Sequence, residues 1–591
     1  MKKSLLLIIS ALLFSGVATA QYFNTKGYYV PAEDFNFLFQ PNEFTPFQTG
    51  DYGELSGQFT RHNLYYVALN PANTTRFSKN YLYVDYNRAS ENRYVVPYFL
   101  YSSLSSIYIP SPLNFYDREP QLSTAFFFKP FKNDRFVLGS TYQLMKINEQ
   151  YMNLDYGFYP TAEFATSVFP GTMSYNNLLS GRNDMAHTGH FSSFYAGYQF
   201  SEALSVGAKI SYNSYLGSGN QTLDQSDLYQ GYSPQVIIAQ DFDYNRQRRT
   251  DYSQWDASLG INFTLSTTTT AGFSMGFLTG DFSQYSDNYQ YNNSLPDTDH
   301  YYNYNNTDKN LFDKNGNSWY ATANLIYSPS NRTNIELSYR LNITNYDLSF
   351  ADHSQNANNS KDSGILLSGD REVTALYVSN QKLWANANGN NSNWSNGFTI
   401  TVDHQLLQHV SITSGVQVNF RSEDETYRQT FSNTYNTNRD FSFIESSAPD
   451  SSWQFRSSSF SRDKNDFERQ TYSMYVPMIV NMQLFSSLNV QTGLIVSHFS
   501  DRINRSYQSL EYQYEYISSD ESYSDSRGIQ PASSNIESDT QSYVHLIGSV
   551  VYSPLERMSI RFVTTTNKMQ SAFGPQNTGN YQFRLSLELT F

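Results

Sequence analysis

The chain contains no cysteine. That absence excludes a disulfide framework, a thiolate metal site, a cysteine nucleophile and the lipid-bearing cysteine of a lipoprotein. Basic residues are scarce as well, with 39 Lys and Arg against 53 Asp and Glu and a formal net charge of -14. Because an acidic chain without a basic stripe is a poor partner for a polyanion, we expect no binding of nucleic acid.

Long apolar runs are also missing. The main one, at 5–14, follows Lys2 and Lys3 and precedes an Ala-x-Ala site at 18–20. This layout predicts a secretory signal peptide over residues 1–20. Beyond it, no stretch approaches the run of about twenty apolar residues that a helical membrane span requires. The chain therefore crosses a membrane as β-strands or does not cross one.

Aromatic residues, by contrast, are abundant: the chain has 50 Tyr and 43 Phe. The mean hydropathy of -0.55 would suit a water-soluble protein. In a transmembrane barrel, however, only every second residue of a strand faces lipid, so a polar average is compatible with that fold. Aromatic girdles at both membrane interfaces use such residues, as do surfaces that stack on ligands.

The segment 581–591 alternates without interruption between apolar and polar residues. Alternation of period two puts the two sets on opposite faces of a β-strand, and about ten residues suffice for a tilted strand to cross a bilayer. The apolar set consists of Tyr581, Phe583, Leu585, Leu587, Leu589 and Phe591. With its terminal aromatic residue, the segment resembles the C-terminal signal strand that the barrel-assembly machinery recognises in Gram-negative outer-membrane β-barrels. A soluble β-sandwich is the alternative that this segment alone leaves open.

The same alternation recurs from residue 80 onward and predicts an all-β fold, a transmembrane antiparallel β-barrel over 80–591. We count sixteen strands, or fourteen if one pair is misassigned. The predicted strands are 80–88, 121–129, 135–147, 190–200, 205–216, 254–264, 269–279, 318–328, 334–347, 396–406, 410–421, 470–484, 488–503, 541–552, 558–568 and 581–591.

The connections alternate between a few residues and several tens of residues. Outer-membrane barrels have short periplasmic turns and long extracellular loops, so this pattern places both termini on the periplasmic side. The predicted outer loops are 89–120, 148–189, 217–253, 280–317, 348–395, 422–469, 504–540 and a short one at 569–580. They are rich in Asn, Ser, Asp and Tyr, which we interpret as solvated surface. A surface that binds a protein or a glycan is the alternative.

Residues 21–79 lack clean alternation and precede the first predicted strand. Near their end stand Asn70, Pro71 and Ala72. This signature resembles that of the FadL-type family of outer-membrane transporters for hydrophobic compounds, and the order of signal peptide, N-terminal segment, barrel and terminal Phe matches too. The resemblance implies that 21–79 is a hatch inside the barrel and that hydrophobic ligands pass through the lumen and can leave through the wall. A periplasmic lead-in segment is the alternative.

The sequence departs from that family in several places. Asn73 stands where the family usually has Gly, and the small residues that usually lead into the motif are replaced by bulky ones at 61–66. Sixteen strands also exceed the family's fourteen. The Asn-Pro-Ala signature occurs, moreover, in related barrels that anchor secretion machinery or surface proteins and transport nothing.

Oxygen-bearing side chains alternate at Asp313, Asn315 and Asn317 and again at 241–245, as in calcium loops. Neither stretch continues into the Gly and Glu that complete an EF-hand loop. We therefore predict no metal site and no cofactor.

Catalytic signatures are absent from the sequence: it has no G-x-S-x-G, H-E-x-x-H or phosphate-cradling glycine loop in context. Asp403 and His404 are adjacent, which in a strand sends them to opposite faces. The best candidate group is His187 and His190 beside Asp184. We predict that the protein is not an enzyme and has no catalytic residue.

Taken together, these patterns predict an integral outer-membrane barrel whose partners are membrane lipid and the assembly machinery. The resemblance implies passive uptake of small hydrophobic compounds through a plugged lumen. The alternative is a barrel that transports nothing and whose outer loops bind a protein or glycan partner.

Overall fold

In the computed structural model, the described residues are 39–42, 44, 62–89, 121–131, 135–158, 161–165, 170–232, 235–297, 300–365, 372–444, 451–518, 521–567 and 580–591. The predicted signal peptide and nearly all of the predicted outer loops 89–120 and 569–580 lie outside these residues.

A single antiparallel sheet contains every strand of the described residues, and pairing of the first strand with the last closes it into a barrel. The strands are β1 Tyr81–Ala89, β2 Leu122–Phe128, β3 Phe136–Phe158, β4 Thr161–Ala165, β5 Pro170–Ser201, β6 Leu204–Tyr232, β7 Gln235–Ser266, β8 Thr269–Asp297, β9 His300–Ser330, β10 Thr333–Ile365, β11 Glu372–Leu407, β12 Val410–Ile444, β13 Ser451–Phe485, β14 Leu488–Ser518, β15 Ser522–Arg527, β16 Ser533–Leu555, β17 Met558–Asn567 and β18 Asn580–Thr590. Short β4 pairs with β5 beside β3, and short β15 pairs with β14 beside β16. The remaining strands form the closed sixteen-stranded barrel that the alternation predicted.

The two faces of the wall differ in polarity, as period-two alternation requires. On β7, Trp255 and Leu259 point outward and are 58% and 66% exposed, whereas Gln254 and Asp256 point inward and are buried. An exposed apolar outer face suits contact with lipid, and a polar inner face suits a filled or hydrated lumen.

Aromatic side chains mark one edge of this apolar band. Tyr212 lies opposite Trp255 and Phe277 lies opposite Trp319 in the strand register. The ring centroids of these pairs are 4.7 and 4.8 Å apart. About ten residues separate this row from the tight turns, which is the length that a tilted strand uses to cross a bilayer. The band therefore has the height and the aromatic border of a membrane-spanning zone.

The end of the barrel that contains the turn between β5 and β6 is called the turn end below, and the opposite end is called the far end. At the far end, the connections from β6 to β7 and from β8 to β9 are also only two residues long. β5 and β6 are separated by Glu202 and Ala203, and the connections of the later hairpins at this end are equally short, as predicted. Phe591 donates its backbone N–H to Asn80 at the turn end (3.0 Å). Among the helices of the described residues, none is long and apolar enough to span a membrane.

The prediction of long outer loops was wrong for most of their length. Each of β5 to β14 runs for 29 to 36 residues, so most of the predicted loops 148–189, 217–253, 280–317, 348–395, 422–469 and 504–540 are strand. Beyond the apolar band the outer face meets water instead of lipid, and both faces can then be polar. The alternation that identifies a strand disappears there, although cross-strand hydrogen bonds still satisfy the backbone.

The C-terminal strand β18 has the faces that its sequence predicts. Leu585 and Phe591 are more than half exposed, whereas Arg584 and Ser586 are buried inside. Arg584 Nη1 lies 2.9 Å from Asp85 Oδ2 on β1, and this ion pair is 0% and 1% exposed. The pair therefore joins the two strands that close the barrel.

Candidate functional site inside the barrel

Residues 62–79 form two short helices that contact the inner wall. α1 spans Asn63–Leu69, and the His62 side chain caps it by accepting a hydrogen bond from the Leu64 N–H (3.3 Å). A 3-10 helix, Pro71–Arg76, follows and is capped by Asn70, whose Oδ1 accepts from the Ala72 N–H (3.0 Å). Proline suits the first position of such a helix because its missing N–H would have no partner there.

The Asn-Pro-Ala turn (Asn70, Pro71 and Ala72) is anchored to β7 and β8 through the amide of Asn70. This residue is fully buried. Its Nδ2 donates to Asn262 Oδ1 (2.9 Å), to the Ile261 carbonyl (3.1 Å) and to the Phe273 carbonyl (3.3 Å). This position needs a side chain that accepts a hydrogen bond from the helix and donates hydrogen bonds to the wall. The asparagine amide does both, through its oxygen and its nitrogen.

Three glycines form the floor on which this turn lies. Gly197, Gly207 and Gly260 occupy directly opposite positions on β5, β6 and β7. A Cβ on Gly207 would overlap the Pro71 backbone, and one on Gly260 would overlap the Asn70 side chain. Sequence reasoning missed these glycines. The available signal was three glycines in equivalent positions of three predicted neighbouring strands.

Asn73 takes part in the same network, at the position where the family usually has glycine. It is fully buried; its Nδ2 donates to the Tyr66 carbonyl (2.8 Å), and its Oδ1 accepts from Asn262 Nδ2 (2.9 Å). Asn262 therefore binds Asn70 and Asn73 at once. The departure from the family pattern adds a contact between the segment and the wall.

A second part of the segment, residues 39–42, is held by a buried ion pair of the wall. Lys209 Nζ and Asp256 Oδ2 are 2.8 Å apart, and their side chains are 2% and 0% exposed. Lys209 donates to the Asn42 carbonyl (2.8 Å), while Asp256 accepts from the Asn42 N–H (3.1 Å). Because a buried ion pair needs further hydrogen bonds to offset its desolvation, the Asn42 backbone contributes to the stability of the pair it binds.

Phe39 lies in an aromatic cage next to this pair. Its ring stacks on Tyr346 at 5.2 Å and meets the edge of Tyr252 at 6.0 Å. The Tyr252 hydroxyl accepts from the Phe39 N–H (2.8 Å). Phe39 has φ 54°, a left-handed conformation that costs a non-glycine residue about 1–2 kcal/mol. The cage and the hydrogen bond offset that cost.

Beyond Phe39, the inner face carries an apolar cluster on the strands from β3 to β11. Its members are Met145, Phe191, Tyr215, Tyr252, Phe282, Phe312, Phe350 and Ala387. Tyr252 belongs both to this cluster and to the Phe39 cage. The lumen therefore has an apolar surface that begins where the N-terminal segment is bound.

The two histidines among the catalytic candidates lie on opposite faces of β5. His187 is fully buried and hydrogen-bonds to the Tyr215 hydroxyl, whereas His190 is exposed and lies 2.8 Å from the Tyr142 hydroxyl. The side chain of Asp184 lies outside the described side chains. Asp313 lies in the regular strand β9, and among the described residues no three His, Asp or Glu side chains are placed to hold a metal ion.

The fold is that of a closed antiparallel barrel of the transmembrane type. No protein-family model matches the chain, and no curated protein matches it. It is similar to the CymD monoaromatic hydrocarbon channel, at 13% identity over 68% of this chain and 98% of that one, with a TM-score of 0.26. It is also similar to the P. putida toluene transporter TodX (9% identity, 88% and 92% coverage, TM-score 0.31) and to a Pseudomonas aeruginosa FadL homologue (11%, 88% and 93%, 0.26).

The first of these proteins is named as a channel and the second as a transporter. The third is a homologue of FadL, the type of transporter that the sequence resembles.

Proposed function

We propose that the chain is an integral outer-membrane barrel through which small hydrophobic compounds cross passively, with residues 21–79 as a plug. One observation carries the proposal: the Asn-Pro-Ala turn is docked against the inner wall by buried hydrogen bonds and a glycine floor. Lipid would surround the exposed apolar band. The turn end would face the periplasm, together with both ends of the mature chain.

The position of α1 supports the role of a plug. Just before the helix, His62 Nε2 lies 3.1 Å from Glu588 Oε1 on β18. Within the helix, the Tyr66 hydroxyl donates to Glu336 Oε2 on β10 (3.0 Å). Since β18 and β10 are separated by many strands in the order of the sheet, a helix that contacts both lies across the lumen.

The apolar cluster on the inner wall supports a hydrophobic ligand. A compound that reaches Phe282 or Phe350 would exchange water for aromatic surface at roughly 25 cal/mol per Å² buried. The Phe39 cage adds stacking surface at the same place.

Single-channel conductance and toluene uptake into liposomes test the proposal, on the purified barrel with and without residues 21–79. We expect the intact chain to be closed to ions and to admit toluene, and the truncated chain to conduct ions steadily. If both forms remain closed to ions and to toluene, the chain is not a transporter. A refolding control, the heat-dependent shift in gel migration, separates a closed barrel from an unfolded one.

A second candidate function is supported by apolar side chains at the far end. Ile517, Ile529 and Ile536, on or near the strands β14 to β16, are 43%, 70% and 58% exposed. Exposed apolar side chains in this arrangement are typical of contacts with a partner protein. The test is a double variant, Ile529→Asp and Ile536→Asp. If a surface protein co-purifies with the unmodified barrel but not with this variant, the result supports the anchoring function over the transport function.

A further inference from the structure

A groove with aromatic walls runs along the inner face of β12, β13 and β14, beyond the apolar band. Its floor is a column of small side chains on β13: Ser457, Ser459 and Ser461. The register places one residue of β12 and one of β14 directly opposite each serine, and directly opposite residues share a face of the sheet. The floor is therefore one strand wide, between two columns of larger side chains.

The two walls are largely aromatic. The β14 wall consists of Tyr512, Tyr514 and Tyr516, and the β12 wall consists of Phe431, Asn433 and Tyr435. Strands are about 4.8 Å apart and same-face side chains recur about every 6.7 Å. The walls are thus roughly 10 Å apart, which is enough space for a flat ring between them.

The groove faces the lumen. Tyr475 and Ile479 lie an even number of residues from the serines along β13 and therefore share their face of the sheet. Both are buried, whereas Met478 on the other face is 50% exposed. The three serines are partly buried. The extra residue of the register shift near Asp463 lies in β14, so the side chains of β13 continue to alternate between the two faces along the whole floor.

Both ends of the groove are defined. At the far end the Phe455 ring lies 4.8 Å from Tyr516 and 5.6 Å from Tyr435, and it closes the floor. Toward the turn end, Tyr427 and Tyr507 flank the floor residue Asn465 and repeat the pattern. Tyr427 also packs against the cluster that contains Phe39. The groove therefore leads from the far part of the barrel to the docked N-terminal segment.

Asp463 lies on this floor, between Ser461 and Asn465, and is 6% exposed. Its Oδ2 accepts from the Ser461 hydroxyl (3.0 Å), whereas its Oδ1 has no hydrogen-bond partner within the described part of the chain. Burial and a hydrogen bond with Asp463 raise the pKa of Tyr507 to about 12. A buried carboxylate oxygen without a donor is unfavourable, so Oδ1 of Asp463 can accept one further hydrogen bond beside those that the carboxylate receives from the described residues.

We infer that the groove binds a hydroxylated aromatic ring, with the ring between the aromatic walls and its hydroxyl donating to Asp463 Oδ1. The inference rests on the proposed function and narrows its ligand class from hydrophobic compounds to phenols. The aromatic side chains of the walls can stack on the face of a ligand ring, and the serine hydroxyls and the amide groups can form hydrogen bonds with its polar edge. A plain hydrocarbon would bury the Asp463 carboxylate without donating a hydrogen bond to it, and would therefore bind less tightly than a phenol.

Isothermal titration of the full chain in detergent micelles with p-cresol and with toluene tests this inference, because the two probes differ by one hydroxyl. We expect p-cresol to bind about tenfold more tightly, the effect of one hydrogen bond to a charged acceptor. Asp463→Asn should weaken p-cresol binding by about tenfold and leave toluene binding unchanged. Equal affinities for the two probes, or an equal loss of both in Asp463→Asn, would overturn the inference.

Two serine variants locate the site. Ser459→Phe fills the floor and should abolish p-cresol binding. Ser458→Phe adds the same ring to the opposite face of β13 at the same height and should have no effect. Equal effects of the two variants would contradict the inference. It would also be contradicted if the chain bound methyl glucoside instead of p-cresol and if Ser459→Phe abolished that binding.

The failure of this inference differs from failure of the proposed function. If toluene enters liposomes and p-cresol has no advantage, the hydroxylated ligand is wrong and passive uptake stands. If no compound enters but p-cresol binding depends on Asp463, the groove is a binding site of a barrel that does not transport.

Discussion

Single side chains decide whether the Asn-Pro-Ala turn can approach the wall. Gly207 leaves room for the Pro71 backbone, and Asn262 binds both Asn70 and Asn73. None of these effects needs a large apolar surface. The docking of the segment therefore depends on shape and on paired amides, and both are sensitive to a change of one atom.

Gly207→Val is expected to open the barrel. A Cβ at this position overlaps the Pro71 backbone, so the turn has to leave its floor. Single-channel recordings should then show a persistent ion current that the unmodified chain lacks. Gly548→Val is the matched control, because a Cβ there makes ordinary contact with Thr564. A closed Gly207→Val barrel would show that the turn does not seal the lumen.

Asn70→Asp is expected to weaken docking by about 2–4 kcal/mol. The carboxylate keeps the cap of Ala72 but loses the donors to Asn262 and to two wall carbonyls, and it places a charge next to their oxygens. The measurement is the rate at which a protease cleaves the N-terminal segment of the folded barrel. Asn63→Asp, on the exposed side of α1, should leave that rate unchanged.

At the scale of elements, the N-terminal segment and the wall stabilise each other. The strand pairing of β6 and β7 brings Lys209 and Asp256 to the same inner face, and the backbone of Asn42 completes their hydrogen bonds. The wall therefore contains a charged pair whose full set of partners exists when residues 39–42 are bound.

Lys209→Met should release residues 39–42 and lower the stability of the barrel by about 3–5 kcal/mol, because Asp256 is left buried without its cation. Since the chain has no cysteine, Pro41→Cys provides a single thiol whose labelling rate reports release. Labelling should be faster in the Lys209→Met background. The double variant Lys209→Met, Asp256→Leu should regain stability without slowing the labelling. Slow labelling in both backgrounds would show that the ion pair does not hold the segment.

At the scale of the whole molecule, closure of the sheet removes its edges. β1 pairs with β18 along its length, so the sixteen described strands of the barrel form a closed ring in which each has a partner on both sides. The buried Arg584 and Asp85 pair lies at this closing seam. Residues nearly five hundred positions apart in sequence thereby determine whether the wall is continuous.

Arg584→Met should lower the midpoint of heat-dependent gel migration, since it leaves Asp85 buried at the seam without its cation, at a cost of about 3–5 kcal/mol. Arg249→Met removes an exposed ion pair with Asp251 and should have little effect on the midpoint, because water and salt screen an exposed pair. An unchanged midpoint for Arg584→Met would mean that strand pairing alone holds the seam.

The sequence by itself determined the fold class and the sixteen strands within the membrane zone. Lipid on one side of the wall forces a strict alternation there, as at Leu585, Leu587 and Leu589, and that alternation is visible in the sequence. It also singled out Asn70, Pro71 and Ala72, because they resemble a known signature.

The tertiary structure decided the rest. Beyond the membrane zone water lies outside the wall, the alternation weakens, and segments predicted as loops proved to be strand. The glycine floor, the Lys209 and Asp256 pair and the groove around Asp463 depend on which positions of different strands are opposite each other. The hydrophobic pattern and the turn set the register of each hairpin, but the side chains that meet around the docked segment come from several strands and are brought together only in the folded barrel.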